Sequence, residues 1–284
     1  MCVCVIAYLF GAVSGVKNWR PVPLLKKLKH TVDGKHRLTD EYDRFTNTKG
    51  KQEISCPQQT DKTVVALVFG QSNSANYDGQ RVEQNSPHII NYFDDKCYIA
   101  SDPLLGATGQ AGSVWTLLGE KLLATGRYDN IILVPAGIGG TEIERWEQGG
   151  DLNGMLGTVI KKATQRYRFT QMIWHQGESD LTLNTTTNRY KKRFQSMLKS
   201  IRHEGVTAPI YVSVASICGD LQTDPDNPVT RAQRELGTSG NGILPGPDTD
   251  TLNAFEDRVD DCHMSYVGMQ KFSDLLMKAV FQAH

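Results

Sequence analysis

Three short stretches of the 284-residue chain carry side chains whose types and spacing suit acyl chemistry. In GQSNSAN, residues 70–76, Ser72 follows an apolar run and sits in a Gly-led turn. A turn at a strand end can present a hydroxyl as a nucleophile, and backbone N–H groups beyond it can stabilise negative charge. In EDRVDDCHMSYVG, residues 256–268, Asp260 lies three residues before His263. A carboxylate that close can bond the imidazole Nδ1, fix its tautomer and favour the imidazolium formed when the ring takes a proton from serine. Asp257 and Asp261 are rivals for that acid role. The third stretch is WHQGESD, residues 174–180. There Gln176 offers an amide to an oxyanion and Gly177 permits a close turn, while His175, Glu178 and Asp180 read as supporting polar groups rather than metal ligands. Each stretch has a plainer reading too: a turn serine, a helix-capping histidine near a loop acid, and a hydrogen-bonded loop.

These stretches need elements to hold them. The runs 63–69 (TVVALVF), 88–93 (HIINYF), 130–136 (NIILVPA), 170–175 (TQMIWH) and 209–216 (PIYVSVAS) are short, rich in β-branched or aromatic residues and bounded by turn formers, which predicts buried strands. Between them, Val114, Leu117, Leu118 and Leu122, then Tyr190, Phe194, Met197 and Ile201, and finally Met269, Phe272, Leu276 and Ala279 recur at helical spacing. Alternating strands and helices predict an α/β domain with a mostly parallel sheet covered on both faces. Ligands bind outside the carboxyl ends of such strands, and Ser72 and 174–180 both directly follow one.

Other mechanisms find no motif. The chain lacks G-x-S-x-G, a Walker A loop and H-E-x-x-H, and GIGGTE at 137–142 misses the last glycine of a dinucleotide fingerprint. The 31 basic and 31 acidic residues give zero formal charge, which argues against nucleic-acid binding. That neutrality is a cancellation, with residues 1–60 at +5 and residues 61–284 at −5. Residues 1–16 are uncharged and mostly apolar, and five Lys or Arg follow by residue 29. This pattern predicts a signal anchor, hence an exported or envelope-tethered protein with membrane contact through residues 1–29; a buried N-terminal helix in a cytoplasmic protein is the alternative. Residues 17–62 read as a basic, then polar connector before a domain at 63–284. Cys56, Cys97, Cys218 and Cys262 allow two disulfides, and Cys218 with Cys262 is one pairing across the site rim.

Taken in order, GQSN, AGS (111–113), PAGIGGTEIERW (135–146), WHQGESD and the D-x-x-H of Asp260 and His263 resemble the SGNH hydrolase superfamily. The branch they resemble is the sialate O-acetylesterase and carbohydrate esterase family 6 (acetylxylan esterase) group. The resemblance covers about residues 63–284. It implies a three-layer α/β/α, flavodoxin-like fold and a serine esterase that deacetylates O-acylated sugars without metal or organic cofactor. It further implies Ser72 as nucleophile, His263 as general base and acid, Asp260 as the orienting carboxylate, and the Ser72 and Gly112 N–H groups with Gln176 as oxyanion donors. Gln71, Asn73, Thr141, Glu142, Arg145, Trp146, His175 and Glu178 are candidates for the substrate pocket or for scaffold. An acyltransferase with the same triad and a carbohydrate-binding domain with a relic site are the alternatives.

Overall fold

In strand β2 (Thr63–Gly70) all eight residues are buried, and successive side chains enter opposite cores. Val65, Leu67 and Phe69 join one apolar cluster, and Val64, Ala66 and Val68 join the other. A strand covered on both faces is the hallmark of a parallel sheet, and β2 runs parallel to β5 (Asn130–Pro135) on one side and β6 (Gln171–His175) on the other. The computed structural model describes residues 38–83, 86–220 and 222–281. The expected leader, signal anchor and membrane contact of residues 1–29 lie outside them. Among the described residues no helix is long and apolar enough to cross a membrane.

Eight strands form one sheet in the order β1-β4-β3-β5-β2-β6-β7-β8 among the described residues. Strands β3 (Ile89–Phe93), β7 (Ile210–Val214) and β8 (Ile243–Asp248) continue the parallel part. Strands β4 (Lys96–Ile99) and β1 (Glu53–Ile54) close one edge antiparallel. Helices α1 (Val114–Ala124) and α6 (Tyr266–Leu276) cover one face. Helices α2 (Asp151–Thr164), α4 (Thr187–His203) and α5 (Pro228–Gly237) cover the other, and the short α3 (Glu178–Thr182) follows β6. The protein is thus the expected three-layer α/β/α sandwich. From β2 the chain winds first toward β5 and β3, then returns to build β6, β7 and β8 on the opposite side. The carboxyl end of β2 is therefore the topological switch point, where neighbouring connections part and leave a crevice.

All five expected strands form, within a residue or two at their ends. Three others carry too weak a signal. Strand β1 spans two residues and β4 four, and β4 is reached from β3 through Asp94 and Asp95, both at positive φ. That is the backbone of a tight hairpin turn, here without the usual glycine. Strand β8 reads ILPGPD, and two prolines fit only a strand at the sheet edge. The described part of the expected connector also packs on the domain. Phe45 is buried with Tyr98 and Leu105, Pro57 accepts a hydrogen bond from the Tyr167 hydroxyl at 2.9 Å, and Cys56 is disulfide-bonded to Cys97 on β4. A second disulfide joins Cys218 to Cys262, the pairing considered from sequence.

The Cys56–Cys97 crosslink spans 41 residues, a loop for which lost chain entropy in the unfolded state is worth about 2–4 kcal/mol. The double variant Cys56→Ser, Cys97→Ser should therefore lose about 2–4 kcal/mol in urea unfolding while keeping its far-UV circular dichroism. An unchanged unfolding midpoint would show that the Cys56–Cys97 crosslink does not fasten the sheet edge.

Candidate active site

Strand β2 ends at Gly70, where φ is +133° and a Cβ would lie 1.9 Å from the carbonyl oxygen of His175. Only glycine lets the ends of β2 and β6 approach this closely. The next backbone N–H, of Gln71, donates to His175 O at 2.9 Å, and the chain then turns through a single 3-10 turn, Ser72–Ser74. Gln71 Oε1 accepts from Ser179 N at 3.2 Å and Gly177 N at 3.4 Å, joining the loops after β2 and β6. Ser72, at the start of this turn, is buried and 5% exposed.

Further along the chain, residues 257–259 fold back on 263–265. Val259 N donates to His263 O at 2.9 Å and Ser265 N to Asp257 O at 2.8 Å. At the end of this hairpin Asp260 accepts from His263 Nδ1 at 2.7 Å through one oxygen and from His263 N at 2.7 Å through the other. Desolvation opposes the Asp260 charge, but hydrogen bonds from the His263 backbone and ring outweigh it and hold the carboxyl below its usual range. Of the rival acids, Asp257 binds Lys271 Nζ at 2.7 Å, and Asp261 makes no hydrogen bond to His263 and has a backbone φ of +58°. The His263 side chain is 19% exposed, so its ring reaches solvent.

Asn73 joins the two parts. Its Nδ2 donates to Cys262 O at 3.2 Å and its Oδ1 accepts from Met264 N at 3.3 Å, so the residue after Ser72 grips the backbone on both sides of His263. The same amide nitrogen donates to Glu178 Oε1 at 3.0 Å. No hydrogen bond links Ser72 directly to His263 among the described residues; Asn73 is their common tether. Arg258, buried beneath the hairpin, donates to the carbonyls of Leu252, Thr249 and Cys262, and the Cys218–Cys262 disulfide fastens the hairpin to the loop after β7.

Several residues expected to face substrate serve as framework instead. Gln176 has no exposed surface, and its amide nitrogen lies within bonding distance of Thr141 O, Asp180 Oδ2 and Gln71 Oε1. It is therefore not free to meet an oxyanion. Gly112 donates its N–H to Asp78 O at 2.9 Å in a short bridge, so that donor is also spent. Trp146 and Thr141 are buried together, the indole donating to the threonine hydroxyl at 3.0 Å. Glu178 and His175 are buried as well, while Glu142 and Arg145 are partly exposed, Arg145 being held by Asp151 at 2.7 Å. Sequence reasoning missed Tyr77, whose ring stacks on His263 at 5.3 Å, and Arg258, which reads as one more charge in an acidic loop. Periodicity marks neither.

Burial holds the His175 imidazole down to about 3, the nearby Arg258 guanidinium adding to the effect. Its Nε2 contacts Thr249 Oγ1 at 2.9 Å, so this histidine is a neutral core group rather than a base. Unfolding releases it to about 6.5. Below that pH the unfolded chain takes up a proton that the folded one refuses, so the His175 contribution to stability is present above about 6.5 and lost as pH falls toward 3. Wild type should accordingly lose stability relative to His175→Phe by about 1.4 kcal/mol per pH unit below about 6.5, read by urea unfolding at stepped pH. A pH-independent difference would show that His175 takes up its proton alike in the folded and unfolded chain.

Residues 62–282 match the family model described as carbohydrate esterase, sialic acid-specific acetylesterase. No curated protein matches the chain. Among solved structures, a protein from Arabidopsis thaliana is similar at 17% identity and TM-score 0.57, covering 78% of this chain and 98% of that one. NanS is similar at 15% identity and TM-score 0.54, covering 80% and 98%. A mutant of Axe2, an acetyl-xylooligosaccharide esterase from Geobacillus, is similar at 14% identity and TM-score 0.51, covering 78% and 95%. At these identities the structural likeness establishes the fold, and the family match, spanning most of the chain, establishes the membership. The chain belongs to the carbohydrate esterase, sialic acid-specific acetylesterase family and is a carboxylic ester hydrolase.

Proposed function

We propose that the chain removes acetyl groups from O-acylated carbohydrate, with Ser72 as nucleophile, His263 as general base and acid, and Asp260 as the carboxylate that orients His263. The observation that carries this reading is the 2.7 Å bond from His263 Nδ1 to Asp260, on a hairpin that Asn73 ties to the Ser72 turn. With Nδ1 engaged, Nε2 is the ring atom left to take the serine proton. Ser72 Oγ attacks the acetyl carbonyl, and the imidazolium then gives its proton to the departing sugar oxygen. Water, activated by the same ring, releases acetate from the serine. The Ser72 N–H opens a helical turn and so has no partner within it, which suits it to receive the oxyanion. Gln176 and Gly112 are left out of that donor set because their N–H groups already have partners. The carbohydrate substrate comes from the family description.

Two disulfides favour an oxidising compartment, consistent with export directed by the apolar leader. On p-nitrophenyl acetate, Ser72→Ala should lower kcat by at least about 10⁴-fold and Asp260→Asn by about 10⁴-fold, with acetate release from acetylated sialic acid or acetylated xylo-oligosaccharide falling in parallel. Equal slow turnover by wild type and Ser72→Ala would refute the mechanism. Hydrolysis of the nitrophenyl ester but of no acetylated sugar would refute the substrate class.

A further inference from the structure

We propose that Tyr77 is a positioning residue that sets the plane of the His263 imidazole, an inference that rests on the Ser72–His263–Asp260 reading. The Asp260 bond pins one corner of the imidazole and leaves the ring able to pivot about it. Rotation of that kind would sweep Nε2 away from Ser72. The Tyr77 ring lies against the imidazole with centroids 5.3 Å apart and planes within 19°, and so opposes the pivot.

The backbone gives Tyr77 little freedom of its own. Asn76 and Asp78 on either side are fully buried. Asn76 N donates to Thr108 O and Nδ2 to Leu104 O, while Asp78 exchanges backbone hydrogen bonds with Gly112. With both neighbours directed inward, the residue between them is directed outward, as alternation in extended chain requires. The ring is also crowded by two glycines. A Cβ at Gly109 would lie 2.9 Å from Tyr77 Cδ2, and one at Gly139 would lie 2.8 Å from Cε2, Cζ and the hydroxyl oxygen. Glycines 109 and 139 therefore form a slot that holds the phenol ring against His263. Gly139 is held in turn by its N–H, which donates to Thr108 Oγ1 at 2.7 Å. The electron-rich ring face further favours the positive charge of the imidazolium formed when His263 takes the serine proton.

Neither the catalytic bonds nor the core uses Tyr77, so its removal separates ring orientation from folding. In the full chain, Tyr77→Leu keeps apolar bulk in the slot but presents no ring face, whereas Tyr77→Phe keeps the face and loses the hydroxyl. Tyr77→Leu should lower kcat on p-nitrophenyl acetate about 10- to 100-fold, the range for a misaligned catalytic group, with little change in KM; Tyr77→Phe should restore it. Unchanged kcat in Tyr77→Leu, an equally slow Tyr77→Phe, or a rise in KM alone would overturn the proposal. Proton NMR of the His263 ring in a Ser72→Ala background reads the stack without turnover. The upfield ring-current shift should persist in Tyr77→Phe and vanish in Tyr77→Leu, and identical shifts in both would overturn it. Absence of Ser72-dependent hydrolysis in wild type would sink the esterase reading instead, and the NMR comparison would still decide whether the stack exists.

Discussion

Asn73 has to satisfy, with one buried amide, two parts of the chain 191 residues apart. Both Nδ2 protons and one lone pair of Oδ1 are used, on Glu178, on Cys262 O and on Met264 N. A buried amide left without partners costs roughly 1–3 kcal/mol, so a displaced hairpin would forfeit these bonds together. The arrangement makes the relation between Ser72 and His263 a property of the core rather than of two surface loops. Glu178 extends the constraint to the loop after β6: burial pushes its carboxyl up, opposed by the bond from Asn73. Arg258 secures the far side of the same hairpin through backbone carbonyls.

The sheet supplies the rigid base on which that constraint acts. Phe69, Trp146 and Trp174 meet edge to face beneath the loops, with centroids 5.0 to 6.1 Å apart. The indole of Trp174 donates to the Tyr190 hydroxyl, which in turn donates to Gln176 O at 2.8 Å. The aromatic layer and the loop polar groups thus form one connected structure. Close packing of this kind holds catalytic groups in place at little further entropic cost.

Much of this was legible in the sequence because the signals were local. TVVALVF reads as a strand since β2 is buried on both faces, and Asp260 with His263 reads as a pair since three residues separate them. Gln176 misleads for a complementary reason: an amide beside a proposed nucleophile looks like a donor until its bonds to Thr141 and Asp180 are seen, and those partners lie in another loop and in the next turn. Gly112 is similar, its N–H taken by Asp78 from a distant stretch. Tyr77 carries no periodic or motif signal, because the stack depends on two glycines contributed by separate loops. Residues 38–62 look like a connector because their few apolar contacts, such as Phe45, are widely spaced.

The central claim is that Ser72 is an activated nucleophile whose reactivity depends on His263. A fluorophosphonate probe tests it directly, with the labelled peptide identified by mass spectrometry. The account predicts one adduct, on the peptide containing Ser72, formed in wild type and strongly suppressed in His263→Ala. Labelling at a different residue, or labelling of Ser72 at the same rate without His263, would contradict it.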